Sequence, residues 1–145
     1  MIHTEIEINA SPVTTRQTFL DFAALPKYHS SFFQSIAPVK AEKKSPEPGD
    51  KLLVNVNGMA LTPVVEVNSP TEFTWRGTFG STWLFTGAHS FNFLPVGEKT
   101  RLVHSEEISG LFAPVFMIFG KAKAEEGFRR FNEDLKNYVE VGKGK

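Results

Sequence analysis

At 145 residues, with 41% hydrophobic and 22% charged residues, the chain suits one soluble globular domain around one core. The 16 Lys and Arg cancel the 16 Asp and Glu, and the pI is about 6.9, so no general attraction to nucleic acid or to an anionic membrane is expected. The chain has no cysteine, which excludes disulfides and thiolate zinc sites and fits a reducing, cytoplasmic setting. The first ten residues lack a basic and then apolar leader pattern, and the longest apolar run, 111–120, is too short to span a bilayer. Neither a signal peptide nor membrane insertion is therefore expected.

In chain order, residues 2–9 alternate Ile2, Thr4, Ile6 and Ile8 against His3, Glu5 and Glu7, the pattern of a strand with one buried face. Ser11-Pro12 reads as an N-cap followed by proline in the first helical turn. A helix over 13–24 follows, with Phe19, Phe22 and Ala23 on one side. Pro26 should end it and open a second short helix over 26–33. A strand at 36–44 leads to a proline-rich turn at 45–50. Residues 51–58 and 59–68 read as a hairpin about Asn57-Gly58, and Pro63 marks an edge position or a bulge.

Residues 72–79 form another strand. Residues 82–94 follow as a long one, with Trp83, Phe85, Gly87, His89, Phe91 and Phe93 on one face and a bend or bulge expected at Gly87. After a turn at 95–99, residues 101–110 alternate again and put Leu102, His104, Glu106 and Ile108 on a single face.

The last third reads as one long helix with Pro114 in its first turn. Phe128, Phe131, Leu135 and Tyr138 recur at helical spacing, and the terminal VGKGK should fray. Gly120, Ala124 and Gly127 fall on the side of that stripe. A mid-helix glycine costs about 1 kcal/mol relative to alanine, so Gly127 requires either close packing or room for a ligand. Strand, two short helices, about six strands and a long helix predict an α+β fold, its antiparallel sheet curled around the last helix. The 14 phenylalanines serve either a packed core or an aromatic-lined cavity.

INASPVTTRQTFLDF (8–22), LPKYHSSFFQSI (25–36), PEPGDKL (46–52), FTWRG (73–77), GAHSFNFLPVGEKTRLVHSEEISGLF (87–112) and FNEDLKNYVE (131–140) together resemble the START-like helix-grip (SRPBCC) superfamily. That group includes polyketide cyclases and plant pollen-allergen-type proteins. The H-x-E-x-x-x-G stretch of His104, Glu106 and Gly110 is similar to that of a bacterial and fungal subgroup. Tyr28 stands where many members carry tryptophan. The resemblance covers essentially the whole chain. It implies six to seven strands gripping the C-terminal helix around a cavity, and members that bind lipids, sterols or polyketides, that cyclise or dehydrate substrates, or that serve as interaction domains. It implies no cofactor.

The polar face of 101–110 carries the functional question. His104 and Glu106, two apart on a strand, point to the same side. A two-residue turn at Val96-Gly97 would set His89 opposite His104, whereas a turn longer by one would set it opposite Ser105 and reverse the shared face. The apolar pattern favours the first.

Three readings stay open: a pair that only satisfies itself, polar anchors in an apolar cavity, or acid–base chemistry with Glu106 and His104 as base and acid. A metal held by His89, His104 and Glu106 has the right ligand types but no recognisable signature. His29 reads as a surface histidine near the cavity mouth and Arg76 as solvated. Leu111, Phe112, Val115, Phe116 and Phe119 read as lid, core or dimer surface.

The first expectation is thus a protein that binds a small hydrophobic molecule in a cavity of roughly several hundred Å³. Trp83, Phe85, Phe91 and Phe131 would line it, joined by Tyr28, Trp75, His89, Phe93, Phe116, Ala124 and Phe128. A cofactor-independent cyclase or dehydratase is the second expectation. A co-chaperone-like interaction domain with a filled core and an exposed apolar patch is the third. A homodimer is compatible with each.

Overall fold

The computed structural model describes residues 1–40 and 45–143. The far end of the strand expected over 36–44 and the last two residues of the tail lie outside the described residues. The elements run β1 (Ile2–Ile8), α1 (Pro12–Leu20), a 3₁₀ turn (Phe22–Lys27), β2 (Phe33–Pro38), β3 (Leu52–Val56) and β4 (Met59–Leu61). They continue with β5 (Val64–Asn68), β6 (Glu72–Phe79), β7 (Phe85–Val96), β8 (Lys99–Ser109), α2 (Ala113–Phe119) and α3 (Lys121–Lys143).

All named strand pairs are antiparallel. One ladder has the order β1-β8-β7-β6-β5 and a second β2-β3-β4. The expected hairpin arm at 59–68 is divided by Pro63. Proline has no N–H to give a ladder, so β4 stops and β5 begins across it. The ladders meet at one corner, where Leu52 N–H donates to the Pro63 carbonyl (2.9 Å) and Val65 N–H to that of Asp50 (2.8 Å).

Local signals account for most boundaries. Ser11 Oγ accepts from Thr14 N–H at 3.1 Å with Pro12 behind it, so α1 starts where a cap predicts. Asn57 (φ 49°) and Gly58 (φ 81°) form a tight turn in which both residues need positive φ. The helix expected to begin at Pro26 is absent, and Pro26 lies inside the 3₁₀ turn. The physical reason is His29. Its imidazole Nε2 accepts the N–H groups of Phe32 (3.3 Å) and Phe33 (3.1 Å), donors that a helix would otherwise have used. Gly87 carries no bulge, since the β6–β7 and β7–β8 registers run through it unshifted. The irregularities lie at Phe33/Ser35 and Val65/Val67.

The C-terminal helix is two helices, broken at Gly120, and the stretch expected to fray stays helical to Lys143. Helix α3 lays Phe128, Phe131, Leu135 and Val139 against the sheet, all buried. Fully burying each such side chain contributes about 1.5–3 kcal/mol. Gly127 is explained by close packing: a Cβ there would lie 2.2 Å from the Phe32 ring. Nine of the fourteen phenylalanines (19, 22, 32, 33, 73, 91, 93, 128 and 131) are buried, so most of the aromatic content is core. No helix among the described residues is long and apolar enough to cross a membrane.

Candidate functional site

The β6–β7 pairing decides what the concave face offers. Its successive rungs are Phe73↔Phe91, Trp75↔His89, Gly77↔Gly87 and Phe79↔Phe85. From Trp75/His89 outward the sheet borders a cavity of about 260 Å³. The walls are Trp75, Gly77, Phe79, Phe85 and Gly87 on one ladder and Val54, Val56, Met59 and Leu61 on the other. Phe32, Phe33 and Pro63 complete the walls, and Phe116, Gly120, Ala124 and Phe128 line the cavity from the helices. Its polar or charged lining is Asn57, His89, Glu106 and Lys123.

Behind His89 runs a buried chain of hydrogen bonds whose direction can be worked out. Thr4 Oγ1 donates to the His104 carbonyl (2.8 Å), so it accepts from Asn132 Nδ2 (2.9 Å). That orients the amide and leaves Asn132 Oδ1 to accept from His104 Nδ1–H (2.8 Å). His104 is fully buried, and its pKa lies well below the ordinary 6.5, through burial first and the neighbouring His89 second. It is therefore neutral, with a bare Nε2 that accepts from His89 Nε2–H at 2.5 Å. His89 then presents Nδ1 to Glu106 Oε2 at 3.7 Å, and the Glu106 side chain, 22% exposed, borders the cavity. Nδ1 is thus the His89 atom that faces the cavity-lining carboxylate.

The ring stacking is equally specific. His104 lies flat on Phe128 (centroids 4.1 Å apart, 4° between planes), and Trp75 stacks on His89 (5.1 Å, 26°). A Cβ on Gly87 would lie 2.6 Å from Glu106 Oε2, so a side chain there would displace the carboxylate from its present place. Gly110 (φ 109°) is required for a different reason: its Cβ would meet the Leu84 carbonyl oxygen at 2.6 Å.

His89, His104 and Glu106 share one face, but the pairing differs by two residues from the one expected. The turn is Gly97-Glu98, so His89 lies opposite Glu106 and Phe91 opposite His104. Phe85, Trp75, His89, Phe116, Ala124, Phe128 and Glu106 border the cavity. His104 does not, being sealed behind His89 and Phe128, and cannot touch a ligand there. Phe91, Phe93 and Phe131 are buried in the closed core beside Phe19, because the long face of β7 continues past the cavity under α1. Trp83 is 67% exposed in the turn before β7. Tyr28 stacks on Tyr138 at 4.6 Å, and burial above all raises its pKa, so it stays protonated.

His29 is buried and not at the surface. Its Nδ1–H donates to Asp134 (2.8 Å), and burial, opposed by that carboxylate, lowers its pKa. Arg76 pairs with Glu66 at 2.8 Å. Leu111, Phe112, Val115 and Phe119 are exposed, and only Phe116 of that group reaches the cavity. Sequence reasoning missed the β3–β4 wall, the Gly77/Gly87 rung, Thr4 and Asn132. Asn132 was within reach, since it falls inside the stripe of Phe128, Leu135 and Val139. Among the described residues, no group of three or more His, Asp or Glu side chains is arranged to hold a metal ion.

Residues 1–140 match the family model described as polyketide cyclase / dehydrase and lipid transport. The chain belongs to that family. Its fold is the START-like helix grip, and solved structures share it at low identity. A START superfamily protein from Mycobacterium smegmatis has a TM-score of 0.68 at 20% identity, covering 97% of each chain. A hypothetical protein from Helicobacter pylori has a TM-score of 0.73 at 16% identity, covering 94% of this chain and 86% of the other. A Thalictrum flavum norcoclaurine synthase point mutant in complex with a transition state analogue has a TM-score of 0.73 at 13% identity, covering 98% and 94%. At these identities the likeness concerns the fold. No protein with a curated description matches this sequence.

Proposed function

We propose that the chain binds a small hydrophobic molecule in the cavity between the sheet and the α2–α3 pair, with Glu106 and His89 as its polar anchor. The observation that carries this reading is the cavity of about 260 Å³, apolar over most of its lining and with few polar side chains. Family membership supports it, since the family description names both lipid transport and cyclase chemistry. The interaction-domain expectation required a filled core and an exposed apolar patch; the cavity counts against the first, while Leu111, Phe112, Val115, Ile118 and Phe119 are exposed. Native mass spectrometry of freshly purified protein tests the proposal through a co-purified small molecule. A chain that arrives empty and binds no polarity-sensitive dye in the cavity would sink it.

A second reading, a cofactor-independent cyclase or dehydratase, is favoured by the hydrogen-bond chain that ends on His89, whose Nδ1 stands 3.7 Å from the Glu106 carboxylate. In that reading Glu106 removes a proton beside a ligand carbonyl, and His89 Nδ1 holds or returns it. His104 and Asn132 fix the tautomer from behind. The fold is compatible with catalysis, as the norcoclaurine synthase neighbour illustrates. Glu106→Gln should then abolish turnover while ligand binding survives. Turnover that persists in that variant would exclude the mechanism.

A further inference from the structure

The β6–β7 ladder lacks one aromatic rung. Trp75/His89 and Phe79/Phe85 are directly opposed pairs on the cavity face, and the pair between them is Gly77/Gly87. Residues two apart on a strand are roughly 6.8 Å apart, so the outer rungs stand about 13–14 Å from each other and cannot touch. Aromatic rings attract at centroid separations of about 4.5–7 Å. A ring in the middle rung would fall within that range of both neighbours, and nothing else on the ladder can do so.

The empty rung is real space: a Cβ on Gly77 would meet nothing within 4 Å. The Gly87 half of the rung is covered by the Glu106 side chain, whose Oε2 lies 2.6 Å from where a Cβ would stand, so the open half is the one over Gly77. Above the slot the helices contribute the small residues Gly120 and Ala124 and the rings of Phe116 and Phe128.

Resting on the cavity-binding reading, we propose that the ligand is a planar aromatic of one or two fused rings that supplies the missing rung, with a hydrogen-bond donor substituent turned toward Glu106. Three features converge on this class. Aromatic pairs bound the slot on both sides, Trp75 and His89 stacked on each other across the strands and Phe79 and Phe85 meeting edge to face. The acceptor at its edge is a carboxylate, which selects a phenolic hydroxyl or an amine over a bare ring. The volume of about 260 Å³ lies below the ~300–1,000 Å³ of sites for larger ligands, which disfavours a long acyl chain or a sterol.

The probes are 2-naphthol, its saturated counterpart decahydro-2-naphthol, naphthalene and palmitate, with binding measured by calorimetry. The expected result is that 2-naphthol binds about tenfold more tightly than decahydro-2-naphthol, from aromatic contact on two sides, and more tightly than naphthalene. Gly77→Phe should supply the rung from within and lower 2-naphthol affinity at least about tenfold while the fold survives. Gly77→Val serves if the larger ring disturbs folding.

Equal or tighter binding of the saturated alcohol overturns the proposal, whatever the variants do. Unchanged affinity in a folded Gly77 variant overturns it as well. Palmitate binding without 2-naphthol binding would overturn the aromatic assignment and leave the cavity reading standing. If none of the four probes binds, the cavity reading fails with it.

Discussion

Acidification puts the buried hydrogen-bond chain to a direct test. His104 has a pKa well below the ordinary 6.5, because burial removes its water and because a proton on Nε2 would face the N–H of His89 at 2.5 Å. In the unfolded chain the same imidazole protonates near 6.5. Between the native and unfolded values the unfolded state holds one more proton, so stability falls as pH falls. The contribution is fully present above pH 6.5 and is lost below it, until the native imidazole itself takes a proton.

The slope is about 1.4 kcal/mol per pH unit per histidine, so moving from pH 7.5 to 5.5 should remove about 1.4 kcal/mol through His104. His29, whose pKa is also lowered, acts with the same sign and steepens the loss. Against a typical total of about 5–15 kcal/mol this is a readable change. Urea unfolding at pH 7.5, 6.5 and 5.5 measures it, with NMR titration of the imidazole Cε1–H signals to assign it. An unfolding free energy that is flat or higher at pH 5.5, or a His104 ring that titrates at or above 6.5, would refute the reasoning.

Other substitutions read the remaining contacts. Gly127→Ala gains about 1 kcal/mol of helix propensity but drives a methyl group into Phe32, an overpacking cost of about 1–3 kcal/mol. Net destabilisation is expected by thermal or urea unfolding, and a more stable variant would contradict the close packing. His29→Ala strips the acceptor from the Phe32 and Phe33 amides, at a cost of about 2–4 kcal/mol. A loss under 1 kcal/mol would show that water replaces the ring. Asn132→Leu leaves the His104 Nδ1–H without its acceptor and should cost about 1–3 kcal/mol. It should also change the His104 tautomer signature in ¹⁵N NMR, and an unaltered signature would break the proposed direction of the chain.

Much of the architecture was legible because period-2 and period-3.6 patterns report which side of an element is covered. They placed His89, His104 and Glu106 on one face although the turn lay one residue away from where it was expected. Moving it from Val96-Gly97 to Gly97-Glu98 keeps parity, so the face survives while every partner shifts by two.

The same patterns do not report depth. Phe85 and Phe93 alternate identically, yet one borders the cavity and the other is sealed in the core. That difference depends on where α1 and α3 cross the sheet. Val54, Val56 and Leu61 were invisible as wall residues for a related reason: only closure of the two ladders around α3 brings them opposite Gly77 and Gly87. The His29 network was unreadable because its partners, Asp134 and the amides of Phe32 and Phe33, are brought together only by the fold.

The interruption at Pro63 bears on how quickly a guest could come and go. One wall of the cavity belongs to the ladder β2-β3-β4 and the other to the five-stranded ladder, and among the described residues backbone bonds around Asp50–Leu52 and Pro63–Val65 stitch them at one corner. Our hypothesis is that the smaller ladder swings as a flap on that stitch. Admission then becomes a local fluctuation, uncoupled from the rate at which the whole chain unfolds. Amide hydrogen exchange should show β3 and β4 opening far more often than β7 and β8. Uniform protection across all of them would mean instead that the cavity opens only when everything does.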